Sequence, residues 1–109
     1  MSLSADKIYT TVLAAGEQWA DARSAYELLD DMRQTILADV TSGLYGTCGS
    51  KSEADTMARC SSVYRDHLAA LGRARKVWLH AEVRYKTAQL LAELRRSEES
   101  TRRAEIQLR

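Results

Sequence analysis

The chain has 109 residues, of which 45% are apolar, enough for one folded domain but too few for two independent hydrophobic cores. It contains no Phe and no Pro, and its many Ala, Leu, Arg and Glu residues are typical of long, uninterrupted helices. Without a membrane-spanning apolar run or a secretory-signal pattern, and with only two cysteines, the sequence predicts a cytoplasmic protein that makes no membrane contact.

The first predicted element is a helix over residues 5–40. Ser2 and Ser4 are candidate N-caps, and Asp6 in the first turn suits the positive end of the helix dipole. Its apolar residues recur at alternating steps of three and four and form a seam: Ile8, Val12, Ala15, Trp19, Ala22 and Tyr26. Gly16 beside this seam predicts a close approach by a neighbouring helix.

Residues 41–52 are the predicted loop, because they hold three of the five glycines among serines and threonines. Gly43 is placed to end the first helix as its C′ residue. Two capping boxes compete to open the next helix: Ser50 with Glu53, and Ser52 with Asp55. A glycine at every third position could cradle a phosphate, but the loop lacks the Gly-Lys-Ser/Thr ending of a P-loop. A simple hairpin turn is the prediction.

The second predicted helix runs over residues 53–109 without a stop signal. Its seam repeats the Trp-x-x-Ala-x-x-x-Tyr arrangement of the first helix: Leu71, Ala74, Trp78, Ala81 and Tyr85. If large residues face small ones in an antiparallel pair, Trp19 lies opposite Ala74, and Ala15 lies opposite Trp78.

The predicted fold is therefore all-α: a long antiparallel two-helix hairpin, coiled-coil-like, with an overhanging C-terminal helix. The charge distribution agrees, because residues 1–40 carry −4 and residues 41–88 carry +4 within a net charge of +1. The first helix covers the second to about Ala88 in this register. Residues 89–109 are left to find another partner.

Apolar residues beside the seam widen the hydrophobic face beyond what one hairpin buries. With the leucines of the overhang they form a candidate oligomer face: Ala25, Met32, Val63, Ala70, Val77, Leu90, Leu91 and Leu94. We expect a homo-oligomer, with a dimer that forms a helical bundle as the favoured state. The C-terminal helix is also a candidate docking element for a different protein.

Four arginines in the overhang form a candidate nucleic-acid face: Arg95, Arg96, Arg102 and Arg103. The seven-residue spacing of the two pairs predicts that all four lie on one face of the helix, where they could follow a phosphate backbone. Glutamates interleave with them, and no aromatic residue follows Tyr85 to stack on bases. Nucleic-acid binding is therefore the alternative, and protein–protein assembly the main prediction.

Metal binding and catalysis find little support in the sequence. The soft ligands are Cys48, Cys60, His67 and His80, which lack the tight pairs typical of zinc sites. In the predicted register His67 lies opposite Tyr26, which suggests a histidine bonded to a phenol. The paired carboxylates are adjacent rather than three or four apart, and no catalytic triad can be assembled. We expect a non-enzyme with no cofactor and no metal.

The C-terminal half resembles a loose group of small coiled-coil proteins encoded by temperate bacteriophages and prophages. The resemblance covers about half of the chain and is carried by Tyr64 to Ala74, which fits Tyr-Arg-x-x-Leu-x-x-Leu-x-x-Ala, and by Ser100 to Glu105, which fits Ser/Thr-x-Arg-Arg-Ala-Glu. It implies an accessory protein of the bacterial host cell, considered in connection with recombination or replication, with no catalytic residue.

Helical hairpins exported by type VII secretion are a further comparison, because they have similar length and also pair two helices. Their Trp-x-Gly turn is absent here, where the turn reads Ser42-Gly43-Leu44-Tyr45-Gly46. That family is therefore a minor alternative.

Overall fold

The structure, a computed structural model, describes residues 4–108 and shows an all-α helical hairpin. Three helices follow one another in the chain: α1 (Ala5–Leu44), α2 (Lys51–Arg59) and α3 (Ser62–Leu108). The predicted fold class is confirmed. Of the two candidate N-caps of α1, Ser2 lies outside the described residues. Ser4 caps the helix, because its Oγ accepts a hydrogen bond from the Lys7 backbone N–H at 3.2 Å.

The predicted end of α1 at residue 40 is wrong by one turn. Thr41 is buried within the helix, and its Oγ1 donates to the carbonyl of Leu37 at 2.7 Å. Leu44 packs against the core, so burial holds the last turn in helical form, and Gly43 lies inside the helix rather than after it. The loop consequently shrinks from the predicted 41–52 to residues 45–50.

Ser50 is the N-cap of α2, so of the two predicted capping boxes the structure has the one that pairs Ser50 with Glu53. Its Oγ accepts from the backbone N–H of Glu53 at 3.1 Å. The Glu53 carboxylate reaches back and accepts from the Gly49 N–H at 3.2 Å. The side chain of Glu53 thus satisfies a backbone donor just before the helix, one residue earlier than the N-cap N–H of a standard capping box.

The predicted continuous helix over residues 53–109 is wrong, because the chain breaks between α2 and α3 at Cys60 and Ser61. Ser61 closes one helix and opens the next. Its Oγ donates to the Ala58 carbonyl at 2.6 Å and accepts from the Tyr64 N–H at 3.2 Å. One hydroxyl satisfies both an orphan carbonyl and an orphan amide, which makes a break possible without proline or glycine.

The hairpin contains two compact units. The loop unit comprises residues 22–78, and the terminal unit comprises the described residues up to 21 together with those from 79 onwards. The core of the loop unit lies where α2 packs, with Leu37, Ala58 and Tyr64 buried. Ala58 and Ala54, one turn apart on α2, are completely buried, since small side chains let the helix approach closely.

Aromatic stacking joins α1 and α3 in each unit. In the loop unit the rings of Tyr26 and Trp78 stack with centroids 5.2 Å apart and planes inclined by 24°. In the terminal unit Trp19 and Tyr85 stack at 5.5 Å and 23°. Gly16 leaves room for the Tyr85 ring, because a Cβ built there would lie 3.1 Å from Cε1 of the tyrosine. The expected close approach at Gly16 is confirmed.

The predicted register, with Trp19 opposite Ala74, is therefore wrong. Trp19 stacks on Tyr85, eleven residues after Ala74, which is a displacement of about 16 Å along α3. The prediction matched large residues to small ones. The fold instead pairs aromatic rings, which adds about 0.5–1.5 kcal/mol per pair beyond the area buried.

The new register also shortens the overhang. In the terminal unit, Ala5 and Ile8 of α1 line a groove together with Arg95 and Glu99 of α3. The first helix therefore extends along α3 well beyond the predicted limit at Ala88. The exposed tail comprises about residues 100–108 rather than everything from residue 89.

We expect Ser61→Ala to lower the free energy of unfolding by about 1–2 kcal/mol, because the change removes the cap shared by α2 and α3. Chemical denaturation followed by circular dichroism measures this. Ser62→Ala is the matched control, since Ser62 is exposed at the next position, and it should change stability by less than about 0.5 kcal/mol. Equal effects of the two substitutions would contradict the capping role.

Two glycines within helices should respond differently to alanine. Gly72 lies inside α3 with nothing within 4 Å of a Cβ, so Gly72→Ala should stabilise the protein by about 0.5–1 kcal/mol. Gly16→Ala should show no such gain, because its methyl group would displace the Tyr85 ring from Trp19. Thermal unfolding of both variants tests the difference, and an equal gain in both would mean that the Tyr85 ring adapts freely.

A double-mutant cycle on Tyr26→Leu and Trp78→Leu should give a coupling energy of about 0.5–1.5 kcal/mol. Tyr64→Leu with Trp78→Leu is the control. Those two residues lie fourteen positions apart on α3, about 21 Å, so their effects on unfolding free energy should add. A coupling near zero for Tyr26 with Trp78 would argue against this register.

Candidate interaction surface

The predicted seam residues lie where α1 and α3 face each other within each unit. Ala81 is buried, and the other ten are half-buried: Ile8, Val12, Ala15, Trp19, Ala22, Tyr26, Leu71, Ala74, Trp78 and Tyr85. No large side chain among the described residues is fully buried. The indole Nε1 of Trp78 is buried and has no hydrogen-bond partner within residues 4–108, which costs about 1–3 kcal/mol. The hairpin alone encloses its aromatic residues incompletely.

Five residues of the candidate oligomer face lie together in the loop unit and are called the flank face: Ala25, Met32, Val63, Ala70 and Val77. Each stands one position before a residue of the α1–α3 seam, and so points about 100° away from it. When two helices pack antiparallel, residues that stand one position before the seam on either helix point to the same side of the helix pair. Met32, Val63 and Val77 are exposed on it, and Ala70 is half-buried.

The other three predicted residues, Leu90, Leu91 and Leu94, are exposed on α3 in the terminal unit. Leu90 and Leu91 point about 100° apart, and Leu94 lies between these two directions. Leu91 and Leu94 border an apolar groove of about 300 Å³ whose other wall includes Ile8 and Thr11 of α1. Leu90 is not among the residues that line this groove.

Two further exposed apolar residues were not predicted from the sequence. Leu79 and Val83 are exposed on α3, eleven residues before Leu90 and Leu94 respectively. These four residues are called the outer stripe. An eleven-residue repeat corresponds to three helical turns, so this spacing was the sequence signal that could have revealed them. The prediction considered only positions flanking the seam.

The four arginines do not form the single face that their spacing suggested. Neighbouring residues differ by about 100°, so Arg95 aligns with Arg102, and Arg96 aligns with Arg103 in a second row. Arg95 is only 25% exposed, and its Nε contacts the Glu99 carboxylate at 3.4 Å. It lines the groove of the terminal unit, whereas the other three arginines are exposed.

His67 is a buried seam residue, but its predicted phenolic partner is wrong. Its Nε2 lies 2.7 Å from the backbone carbonyl of Leu29 and must carry the proton, because a carbonyl only accepts. Cys48 contacts the sulfur of Met57 at 3.4 Å, and Cys60 is exposed as a free thiol. Within residues 4–108 no three His, Cys, Asp or Glu side chains form a group that could hold a metal.

Comparison with known proteins gives no relative: no protein-family model, curated protein or solved structure matches the chain. Across the described helices, none is both long and apolar enough to cross a membrane. The candidate site is therefore defined by geometry alone. It consists of apolar side chains exposed on regular helices, in the flank face and the outer stripe.

Proposed function

We propose that this protein is a non-enzymatic helical interaction module whose first partner is a second copy of itself, in a dimer. The observation that carries the proposal is the large surface left exposed by one chain. Its accessible area is 8434 Å², whereas a globular protein of 12.2 kDa exposes roughly 6000 Å². The surplus is about 2400 Å², and a stable interface needs only about 800 Å² from each partner.

The character of the exposed residues supports association rather than a solvated surface. Large apolar side chains are exposed along α1 and α3, in both units: Tyr9, Leu13, Leu28, Met32, Val63, Leu68, Val77, Leu79, Val83, Leu90, Leu91 and Leu94. Burying such side chains contributes about 25 cal/mol per Å² of apolar area removed from water. Apolar faces of this kind mark protein–protein contacts.

The charge of the protein permits self-association. A net charge of +1 on 109 residues creates little repulsion between copies. The ion pairs that the helices make join residues three or four positions apart on the same helix, such as Arg23 with Glu27 at 2.9 Å. These charges are satisfied locally, which leaves the apolar residues to determine association.

One hairpin also buries its aromatic residues incompletely. Trp19, Trp78, Tyr26 and Tyr85 are all half-buried. Two hairpins that associate reduce the apolar surface that each exposes alone. An assembly of this kind needs no catalytic residue, cofactor or metal.

Nucleic-acid binding is the second candidate, because Arg96, Arg102 and Arg103 are exposed near the end of α3. Against it, Arg95 is engaged with Glu99, and Glu98 and Glu105 lie among the remaining arginines. The resemblance to phage-encoded accessory proteins is compatible with either candidate and stays a prediction. Self-association explains more of the exposed surface.

We expect the full chain to sediment as a dimer at tens of micromolar, because one copy exposes more surface than a globular monomer of this size and that surface includes many large apolar side chains. Sedimentation equilibrium over a hundredfold range of concentration measures this directly. A monomer at every concentration would contradict the proposal.

The second candidate is tested on the same samples with a labelled oligonucleotide. Weak binding that is insensitive to Arg96→Gln, Arg102→Gln and Arg103→Gln together supports the self-association proposal. Binding that falls steeply with salt and disappears in the triple variant, in a chain that stays monomeric, would favour the nucleic-acid function instead. Circular dichroism of the triple variant checks that the helix persists.

A further inference from the structure

The outer stripe is an exposed apolar row along the last helix of the terminal unit. Leu79, Val83, Leu90 and Leu94 are 43%, 65%, 55% and 52% exposed. At about 100° per residue, their positions fall within roughly 60° of one another around α3. They therefore form one continuous row rather than four scattered contacts.

Most of this row lies on the opposite side of α3 from the residues that face α1, and its last residue, Leu94, borders the groove that Ile8 and Thr11 of α1 also line. Ala81 is buried, and Tyr85 stacks on Trp19, on a side of the helix about 180° from the stripe. The hairpin cannot cover both sides of one helix. In a single chain the stripe is consequently left facing water.

The stripe is straight, and its length suits a helix-to-helix contact. Leu79 and Leu90 are separated by eleven residues, as are Val83 and Leu94, and such a repeat drifts by only about 20°. From its first residue to its last the row extends about 22 Å. Two straight rows of this kind can pack along their whole length.

The spacing of the stripe is symmetric about its own midpoint. Successive steps are four, seven and four residues, so the row reads the same in both directions. A two-fold axis through the midpoint places Leu79 opposite Leu94 of a second copy, and Val83 opposite Leu90 of that copy. A two-fold interface requires this self-complementarity, because each copy presents the same residues.

Lys86 lies beside the midpoint of the stripe. It is paired with Glu82 at 3.3 Å on its own helix, so its charge is compensated next to the contact.

From these observations we infer that the outer stripe is the dimer interface, and that a second copy of this chain occupies it with its α3 antiparallel to the first. The inference rests on the proposed self-association and specifies where it occurs. The surface surplus of one chain is ample for the contact. The flank face is left open in this arrangement.

The test uses the full chain with Val83→Glu and Leu90→Glu, which places charges at the centre of the contact. Self-association should weaken at least about a hundredfold, because buried like charges are unfavourable. A second variant carries Val83→Lys and Leu90→Lys. Each variant alone should be monomeric, and an equal mixture should recover association, which shows that both chains remain folded and that the stripe makes the contact.

Met32→Glu with Val77→Glu is the matched control on the flank face, and its dissociation constant should stay within about threefold of the native value. If this control dissociates the dimer and the stripe variants do not, the inference is overturned while the proposed function stands. If the native chain is a monomer throughout, both fail. Sedimentation equilibrium reports all of these outcomes.

Cross-linking tests the orientation in a chain with Cys48→Ser and Cys60→Ser. A chain with Leu79→Cys, mixed with a chain carrying Leu94→Cys, should form a disulfide between copies on mild oxidation. Either chain alone should form none, because an antiparallel contact separates identical positions in the stripe by about 22 Å. Efficient cross-linking of either chain with itself would overturn the antiparallel arrangement.

Discussion

Stacking between aromatic rings of α1 and α3 is the interaction on which the rest of the structure depends. Trp19 and Tyr26 are seven residues apart on one helix, and Trp78 and Tyr85 are seven apart on the other. Each tryptophan stacks on the tyrosine of the opposite helix, so both stacks specify the same register. That register decides which residues of α3 are covered by α1 and which stay exposed.

Small residues determine how closely the helices approach, and large ones remain partly open to water. Ala54 and Ala58 are the completely buried residues of α2, and Gly16 accommodates the ring of Tyr85. Two or three helices of this kind bury alanines well but cannot surround a tryptophan. The exposed apolar surface is thus a consequence of the architecture, and association of hairpins is the direct way to reduce it.

The arrangement of polar groups fits a module whose surface is assembled from repeated helical positions. Ion pairs lie between neighbouring turns of one helix, as in Arg95 with Glu99, and thereby stabilise the helix itself. Apolar rows lie between these charged rows at helical spacing. In the proposed dimer, such a surface would contact another helix through shape and hydrophobic contact more than through charge.

The sequence by itself determined several features that depend on local periodicity and capping. The all-α class, the caps at Ser4 and Ser50 and the close approach at Gly16 all follow from residues within one or two turns of each other. Placement of the seam on one side of each helix follows from the same periodicity.

Only the tertiary structure decided the register, the last turn of α1 and the break at Ser61. The predicted register differs from the observed one by eleven residues. Eleven residues are about three helical turns, so the same side of α3 faces α1 in both registers. Periodicity cannot distinguish two such offsets, whereas aromatic stacking can. The hydrogen bonds of Thr41 and Ser61 are local, but the extra turn and the break also bring Leu37, Ala58 and Tyr64 into one core, which is a contact between residues distant in the chain.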